Sequence, residues 1–184
     1  RLQNEILLST AQYQNLLERI LKAAEKTIGR LSSFDRVSSF HPFVFEQAFG
    51  YGPKSLPPLV YALDDEIRLE IIGRIDRIDT AETEQGSMFL VLDYKTGNAY
   101  LNLWEIYYGL NLQLLTYLMV AEAGLAMLRG APAAFAGMLY CFMRSKLIDT
   151  DCAVSAEQAQ ELLRKELRMP GWVVADPAII RSID

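Results

Sequence analysis

Apolar and polar positions alternate with a period of two over residues 66–79. Ile67, Leu69, Ile71 and Ile75 fall on one side, and Glu66, Arg68, Glu70, Arg74 and Asp76 on the other, as in a strand with one buried face. Gly73 removes a side chain from the apolar side, which predicts a bend or a close backbone approach. The polar stretch Thr80–Ser87, with Gly86 for a turn, leads into Met88–Lys95, which is almost wholly apolar. A continuous run of that length predicts a central strand covered on both faces. The two strands together read as a hairpin.

Elsewhere the period changes. Over residues 3–29, Ile6, Tyr13, Leu17, Ile20, Ala24 and Ile28 recur at helical spacings while Glu18, Arg19, Lys22 and Lys26 mostly avoid that stripe, which predicts a helix ended by Gly29. The serine pairs at 32–33 and 38–39 flank an expected polar linker. Phe40–Gly50 is aromatic-rich and predicts an extended piece laying Phe43, Phe45 and Phe49 on the core. Residues 50–58 carry Pro53, Pro57 and Pro58 and read as loop. Leu59–Leu63 predicts a short strand, and Asp64-Asp65 a turn. Asn102 with Glu105 three residues on resembles a helix start, and that helix is expected to run to about Arg129, with Gly130 ending it. Ala134–Met143 predicts another apolar strand. Ser155 with Gln158 is a second capping box, opening a helix to about Arg168 that Pro170-Gly171 stops. The order predicts an α/β (α+β) fold, a mixed sheet flanked by helices.

Composition adds a few bounds. The 184 residues suit one domain with a substantial core. The expected divisions are an N-terminal helix over 1–31, a core over 40–145 and a C-terminal helix over 155–168. A net charge of −5 argues against a general basic field for nucleic acid and leaves room for a small local site. Cys141 and Cys152 match no metal-binding spacing, and two plain thiols suggest a reducing, cytoplasmic setting. Asn111, Gln113 and Glu122 interrupt the longest apolar run, 108–128, so a buried helix is expected there and no membrane span. The chain begins without Met, partway into a helical pattern, and is expected to be a fragment of a larger protein.

The candidate chemistry lies on the hairpin. Asp93 and Lys95 are two apart on one strand and therefore share a face. Charges beside core positions are unfavourable unless something uses them, and a divalent metal, a phosphate or both would do so. Asp76 and Asp93 with a backbone carbonyl suit Mg²⁺, an oxygen-seeking ion, provided that the hairpin register pairs residues whose numbers sum to an odd value. The bland alternative is a surface hairpin with exchanged salt bridges. Gln113 and Tyr117 are one helical turn apart and share a face. They serve either each other or a phosphate. Glu46 stands among aromatic residues and needs a partner, either Arg74 or Arg77, or else a place in the site as a further acid. His41, the sole histidine, reads as a loop residue.

Gly73-Arg-Ile-Asp76-Arg-Ile-Asp79, then Asp93-Tyr-Lys95-Thr-Gly97, then Gln113-x-x-x-Tyr117 resemble the PD-(D/E)XK nucleases of the RecB type. Residues 45–50 and 108–117 narrow the resemblance to the C-terminal nuclease domains of AddB subunits, over roughly residues 40–145. The resemblance implies a restriction-endonuclease-like core. It further implies that Asp76, Asp93 and the main-chain carbonyl of Tyr94 ligate Mg²⁺ (or Mn²⁺), that Lys95 positions water and steadies the phosphate, and that Gln113 and Tyr117 support the site. The implied activity is metal-dependent exonucleolytic hydrolysis of DNA in double-strand break processing, alongside an AddA-type helicase–nuclease subunit. Two family features have no match here: a histidine on an upstream helix, and the four cysteines of an iron–sulfur cluster, which this fragment does not support. The alternatives are a DNA-guiding domain that keeps the fold without the catalysis, and a stand-alone RecB-like or Cas4-like exonuclease.

Overall fold

The computed structural model describes residues 10–97, 99–143 and 155–183. Thr10 opens the first helix, α1 (Ala11–Val37), its side chain accepting from the Tyr13 amide at 3.3 Å. The helix passes through Gly29 instead of ending there. A single glycine inside a helix is unfavourable by only about 1 kcal/mol, and tertiary contacts beyond it hold the helix down: Arg30 donates to the Phe142 carbonyl and Asp35 pairs with Arg77. The expected linker around Ser32-Ser33 is therefore helical. Ile6, Cys152 and Asp184 lie outside the described residues.

The strands are β1 (His41–Phe49), β2 (Leu59–Ala62), β3 (Arg68–Ile71), β4 (Gly73–Thr83) and β5 (Gly86–Lys95). After them come α2 (Leu103–Tyr107), α3 (Gln113–Arg129), β6 (Ala134–Phe142), α4 (Ala156–Leu167), β7 (Gly171–Val173) and α5 (Pro177–Ile183). The main sheet has the order β1-β4-β5-β6-β7, and β2 and β3 pair separately. All neighbours in the main sheet are antiparallel except β5 and β6, which are parallel and joined through α3, as a crossover of this kind requires.

Several expectations change on contact with the structure. The long strand 66–79 breaks at Ile72 into β3 and β4, and Ile67 and Leu69 are exposed because β3 leaves the main sheet. The expected loop at 80–87 shrinks to a two-residue turn, Glu84-Gln85, with Thr83 Oγ1 donating to the Gly86 carbonyl. His41 opens a strand and is not in a loop. Phe43 and Phe45 are exposed; Phe49 is buried as expected, and Phe40 is buried as well. The helix expected from 103 to 129 is two helices, α2 and α3, interrupted at residues 108–112. β7 and α5 add to the expected elements. Other expectations hold. Ser155 Oγ accepts from the Gln158 amide at 3.2 Å and the Gln158 side chain accepts from the Ser155 amide at 2.9 Å. Gly130 caps α3 in the left-handed region, with φ 75°. Gly73 lies against the Phe49 ring, so that an added Cβ would stand 2.8 Å from it.

Two apolar layers cover the sheet. On one face α3 contributes Leu114, Tyr117, Val120, Ala121 and Leu125 to a cluster with Ile78, Phe89, Val91, Met138 and Tyr140. On the other, Leu90, Leu92, Met88 and Leu139 pack with Phe40 and Ile179, against Phe34 of α1 and Ile183. Thus β5 is buried on both faces, as its composition predicts. No helix among the described residues is long and apolar enough to cross a membrane.

Candidate active site

The register of β4 and β5 decides whether the acids meet. Arg77 pairs with Leu92 and Ile78 with Val91, an odd sum, and one step further along that register Asp76 and Asp93 stand abreast. Asp76 Oδ2 accepts from the Tyr94 amide at 2.8 Å, which ties the first acid to the strand carrying the second. On the far side of β5, Asp93 pairs with Tyr140 of β6. Glu46 lies between the Phe45–Arg77 and Gln47–Ile75 pairs of β1 and β4, abreast of Asp76. A row of Glu46, Asp76, Asp93 and Tyr140 thus crosses four strands.

Asp93 is 1% exposed, and neither of its carboxylate oxygens is hydrogen-bonded among the described residues. Its close charged partner is the Lys95 ammonium, 2.6 Å from Oδ2, in an ion pair. Burial raises the Asp93 carboxyl above its ordinary value; the lysine opposes the shift and the Asp76 charge adds to it. Lys95 also donates to Gln113 Oε1 at 2.5 Å, and Gln113 Nε2 donates to the Tyr117 hydroxyl at 2.9 Å. The ammonium lies 5.4 Å from the centre of the Tyr140 ring, within reach of a cation–π attraction. The Tyr117 hydroxyl is raised chiefly by burial, offset by Gln113 and reinforced by the charges of Asp93, Asp76 and Glu46, so the tyrosine senses all three acids.

A buried carboxylate with unused lone pairs, beside a second carboxylate, is a donor set suited to a hard divalent cation. Among the described residues no group of three or more acidic, histidine or cysteine side chains gathers as a metal site. An ion here would therefore take two carboxylates and complete its shell with a backbone carbonyl and water, as Mg²⁺ does.

Glu46 turns elsewhere. Its carboxylate accepts from Arg74 at 3.2 Å, both side chains being more than half exposed, so Arg74 and not Arg77 is its partner. Its backbone is in the left-handed region, φ 53°, a conformation a non-glycine residue adopts at some energetic disadvantage. Sequence reasoning overlooks Tyr140 and Asn111. The signal is present: a tyrosine follows the apolar run Ala134–Leu139, and an asparagine stands two residues before Gln113. Tyr140 donates to Asn111 Oδ1 at 3.4 Å.

The opposite face of the same strands holds a second charged group. Arg77 donates to both oxygens of Asp79, at 2.6 and 2.7 Å, and to Asp35 of α1 at 2.8 Å. Arg77 and Asp79 are buried. Burial is the largest influence on Asp79 and lifts its carboxyl above the ordinary range despite the guanidinium. Burial also weighs against the charge on Arg77, yet its bonds to Asp79 and Asp35 leave that group raised. The second aspartate of the Gly73–Asp79 segment is thus engaged in the scaffold, away from Asp93.

Comparison with known proteins shows the family. The chain is 36% identical to the B subunit of the ATP-dependent helicase/deoxyribonuclease of Bacillus mycoides (strain KBAB4) over 186 residues. It is 35% identical to the protein of the same name from Bacillus subtilis (strain 168), and 38% to that from Desulforamulus reducens, each over 184 residues. In each case all of this chain is covered and 16% of the relative, so the chain spans about a sixth of the length of these relatives. The profile of the PD-(D/E)XK nuclease superfamily matches residues 1–174. With that match over most of its length, and a five-stranded mixed sheet flanked by helices, the chain belongs to the PD-(D/E)XK nuclease superfamily.

Proposed function

We propose that this chain is a metal-dependent deoxyribonuclease domain of an AddB-type helicase–nuclease protein, hydrolysing DNA phosphodiesters during double-strand break processing in the cytoplasm. The observation that carries the reading is Asp93: a buried carboxylate abreast of Asp76, ion-paired to Lys95 through Oδ2 and with Oδ1 left without a partner among the described residues. The relatives are by name B subunits of an ATP-dependent helicase/deoxyribonuclease, which supports the wider setting, with an AddA-type subunit as partner.

In this reading Asp76, Asp93 and the main-chain carbonyl of Tyr94 hold Mg²⁺, with Mn²⁺ able to replace it. The bound ion supplies a water of lowered pKa and neutralises charge on the phosphate. Lys95 presents its ammonium to the scissile phosphate and the attacking water, where a fixed positive charge in a poorly solvated site favours the developing negative charge. Gln113 accepts from that ammonium and is itself steadied by Tyr117, so the pair fixes the direction of the lysine. Glu46 is the nearest further acid on the row, available to the site if it leaves Arg74.

The test uses the full-length protein in its complex. Asp93→Ala and Lys95→Ala should each lower cleavage of one of the two strands by on the order of a hundredfold or more, while strand unwinding and cleavage of the other strand continue. Undiminished cleavage of both strands in the Asp93→Ala complex would leave only the DNA-guiding alternative.

A further inference from the structure

Tyr140 is a buried ring at the site with no part in the chemistry above. It lies on β6, abreast of Asp93, and is 1% exposed. Both ends of the residue are tied down. Its amide donates to the Pro170 carbonyl at 2.8 Å, and its hydroxyl donates to Asn111 Oδ1 at 3.4 Å. Asn111 is itself fixed, donating to the Tyr100 carbonyl at 2.8 Å. Phe142 packs against the ring at a tilt, with centroids 6.4 Å apart. The ring thus has a set orientation, and in it the Lys95 ammonium lies over the ring face, 5.4 Å from the centre.

Two readings of the ring compete. Tyr140 belongs to the apolar cluster under α3, where a leucine would also fill space. A leucine, however, offers nothing to a charge. An aromatic ring is negative over its face and attracts a cation held there. The Lys95 side chain is 23% exposed, so its ammonium has lost much of its water and the attraction counts for more. The work asked of the lysine also favours a ring. An ammonium has three N–H donors, and Asp93 and Gln113 already engage this one. A further carboxylate would add negative charge beside Asp76 and Asp93, and a further amide or hydroxyl would claim another donor. A ring face attracts the charge without claiming a lone-pair hydrogen bond, which leaves a donor for a phosphate oxygen.

We propose that Tyr140 is a positioning residue for the cleavage step: the face of its ring holds the Lys95 ammonium beside Asp93 and keeps it directed at the scissile phosphate. The proposal rests on the nuclease reading above and adds the group that aims its lysine. An attraction of this kind changes an equilibrium or a rate by roughly two- to thirtyfold. The hydroxyl orients the ring through Asn111, and the ring carries the effect.

The experiment takes the full-length protein in its complex and reads cleavage of the strand that Asp93→Ala spares. Tyr140→Phe keeps the ring and should keep kcat within about twofold of the parent. Mono-, di- and trifluorinated phenylalanines placed at the same position keep the shape and drain charge from the face. Across that series kcat should fall stepwise, about tenfold in all, with KM for DNA unchanged. Tyr140→Leu should match the trifluorinated ring; if the leucine variant does not fold, the fluorinated series, which conserves shape, still decides. A kcat indifferent to fluorination overturns the proposal and leaves Tyr140 a core residue. A loss confined to KM overturns it too, since the ring then meets DNA. In the Lys95→Ala background the series should leave the residual rate unchanged; an equal fall there overturns the proposal, because the ring then acts on something other than the lysine. Without metal, in EDTA, an amine-reactive reagent should label Lys95 faster as fluorination proceeds, read by peptide mass spectrometry, and constant labelling counts against the proposal. Asp93→Ala separates the two readings. If both strands are still cleaved, it is the nuclease reading that fails; if one is spared and fluorination leaves its kcat in the parent unmoved, only the role of Tyr140 fails.

Discussion

Strands β4 and β5 carry two charged clusters on opposite faces, and the two are built differently. On one face Arg77 is held by Asp79 and Asp35 through three hydrogen bonds. On the other, Asp93 is as deeply buried as Asp79 but is paired only with Lys95, through Oδ2, leaving Oδ1 without a partner among the described residues. Both carboxyls are raised by burial, but only one has a full set of partners. A closed cluster commits its bonding capacity to the scaffold. An open one keeps lone pairs for something that arrives later, and the protein is less stable for it. On the proposed function, the contrast separates structural charge from chemical charge across a single pair of strands.

The largest effect expected from this contrast is on the closed side. Asp79→Ala leaves the Arg77 guanidinium buried with Asp35 alone, and should lower stability by about 3–5 kcal/mol, read as a shift in the denaturant midpoint. A change below about 1 kcal/mol would mean that the closed cluster is not structural. On the open side the sign reverses. Asp93→Asn should raise the stability of the metal-free protein by about 1–2 kcal/mol at neutral pH while removing cleavage.

The pH dependence follows from the same residue. The folded Asp93 carboxyl titrates above the unfolded value, so in the window between the two the folded state binds the extra proton. Stability of the metal-free protein should therefore fall as pH rises through that window. Denaturation in EDTA across the acid range measures this contribution as the difference between parent and Asp93→Asn, and a variant with the same slope as the parent would break the comparison. The smallest effect is expected at the edge of the open cluster. Gln113→Ala removes the second partner of Lys95 and should lower kcat about tenfold, with a stability change within about 0.5 kcal/mol, because Gln113 is exposed. A larger loss of stability than of rate would place it with the scaffold.

Much of this is legible in the chain. The period-two pattern around Ile75 and Asp76, and the apolar run ending in Asp93 and Lys95, mark the two strands, and the odd register follows from the short turn at Glu84-Gln85. Ser155 with Gln158, and Gly130, mark helix ends because their signals act over four residues or fewer. What escapes the sequence depends on distant partners. α1 continues past Gly29 because Asp35 finds Arg77, 42 residues away. Phe43 and Phe45 are exposed because β1 pairs only with β4 in the main sheet, so its outer side chains lack a second neighbouring strand. The break between α2 and α3 separates two segments that are each compatible with helix, and no proline marks it. Asp79 looks equivalent to Asp76 in the repeat Ile-Asp-Arg-Ile-Asp, and only the odd spacing between them sends it to the other face.

The turn at Glu84-Gln85 lies at the opposite end of the hairpin from Asp76 and Asp93, yet it sets a constraint on any engineering of this domain. Its length has a parity. Adding two residues would lengthen the hairpin and leave the acids on a common face; adding one, without a compensating bulge, would turn one of them to the side of Arg77. A change of a single residue at a solvent-exposed tip can thus act as a lesion of the chemistry, while substitutions of Glu84 or Gln85 at that same tip leave it untouched.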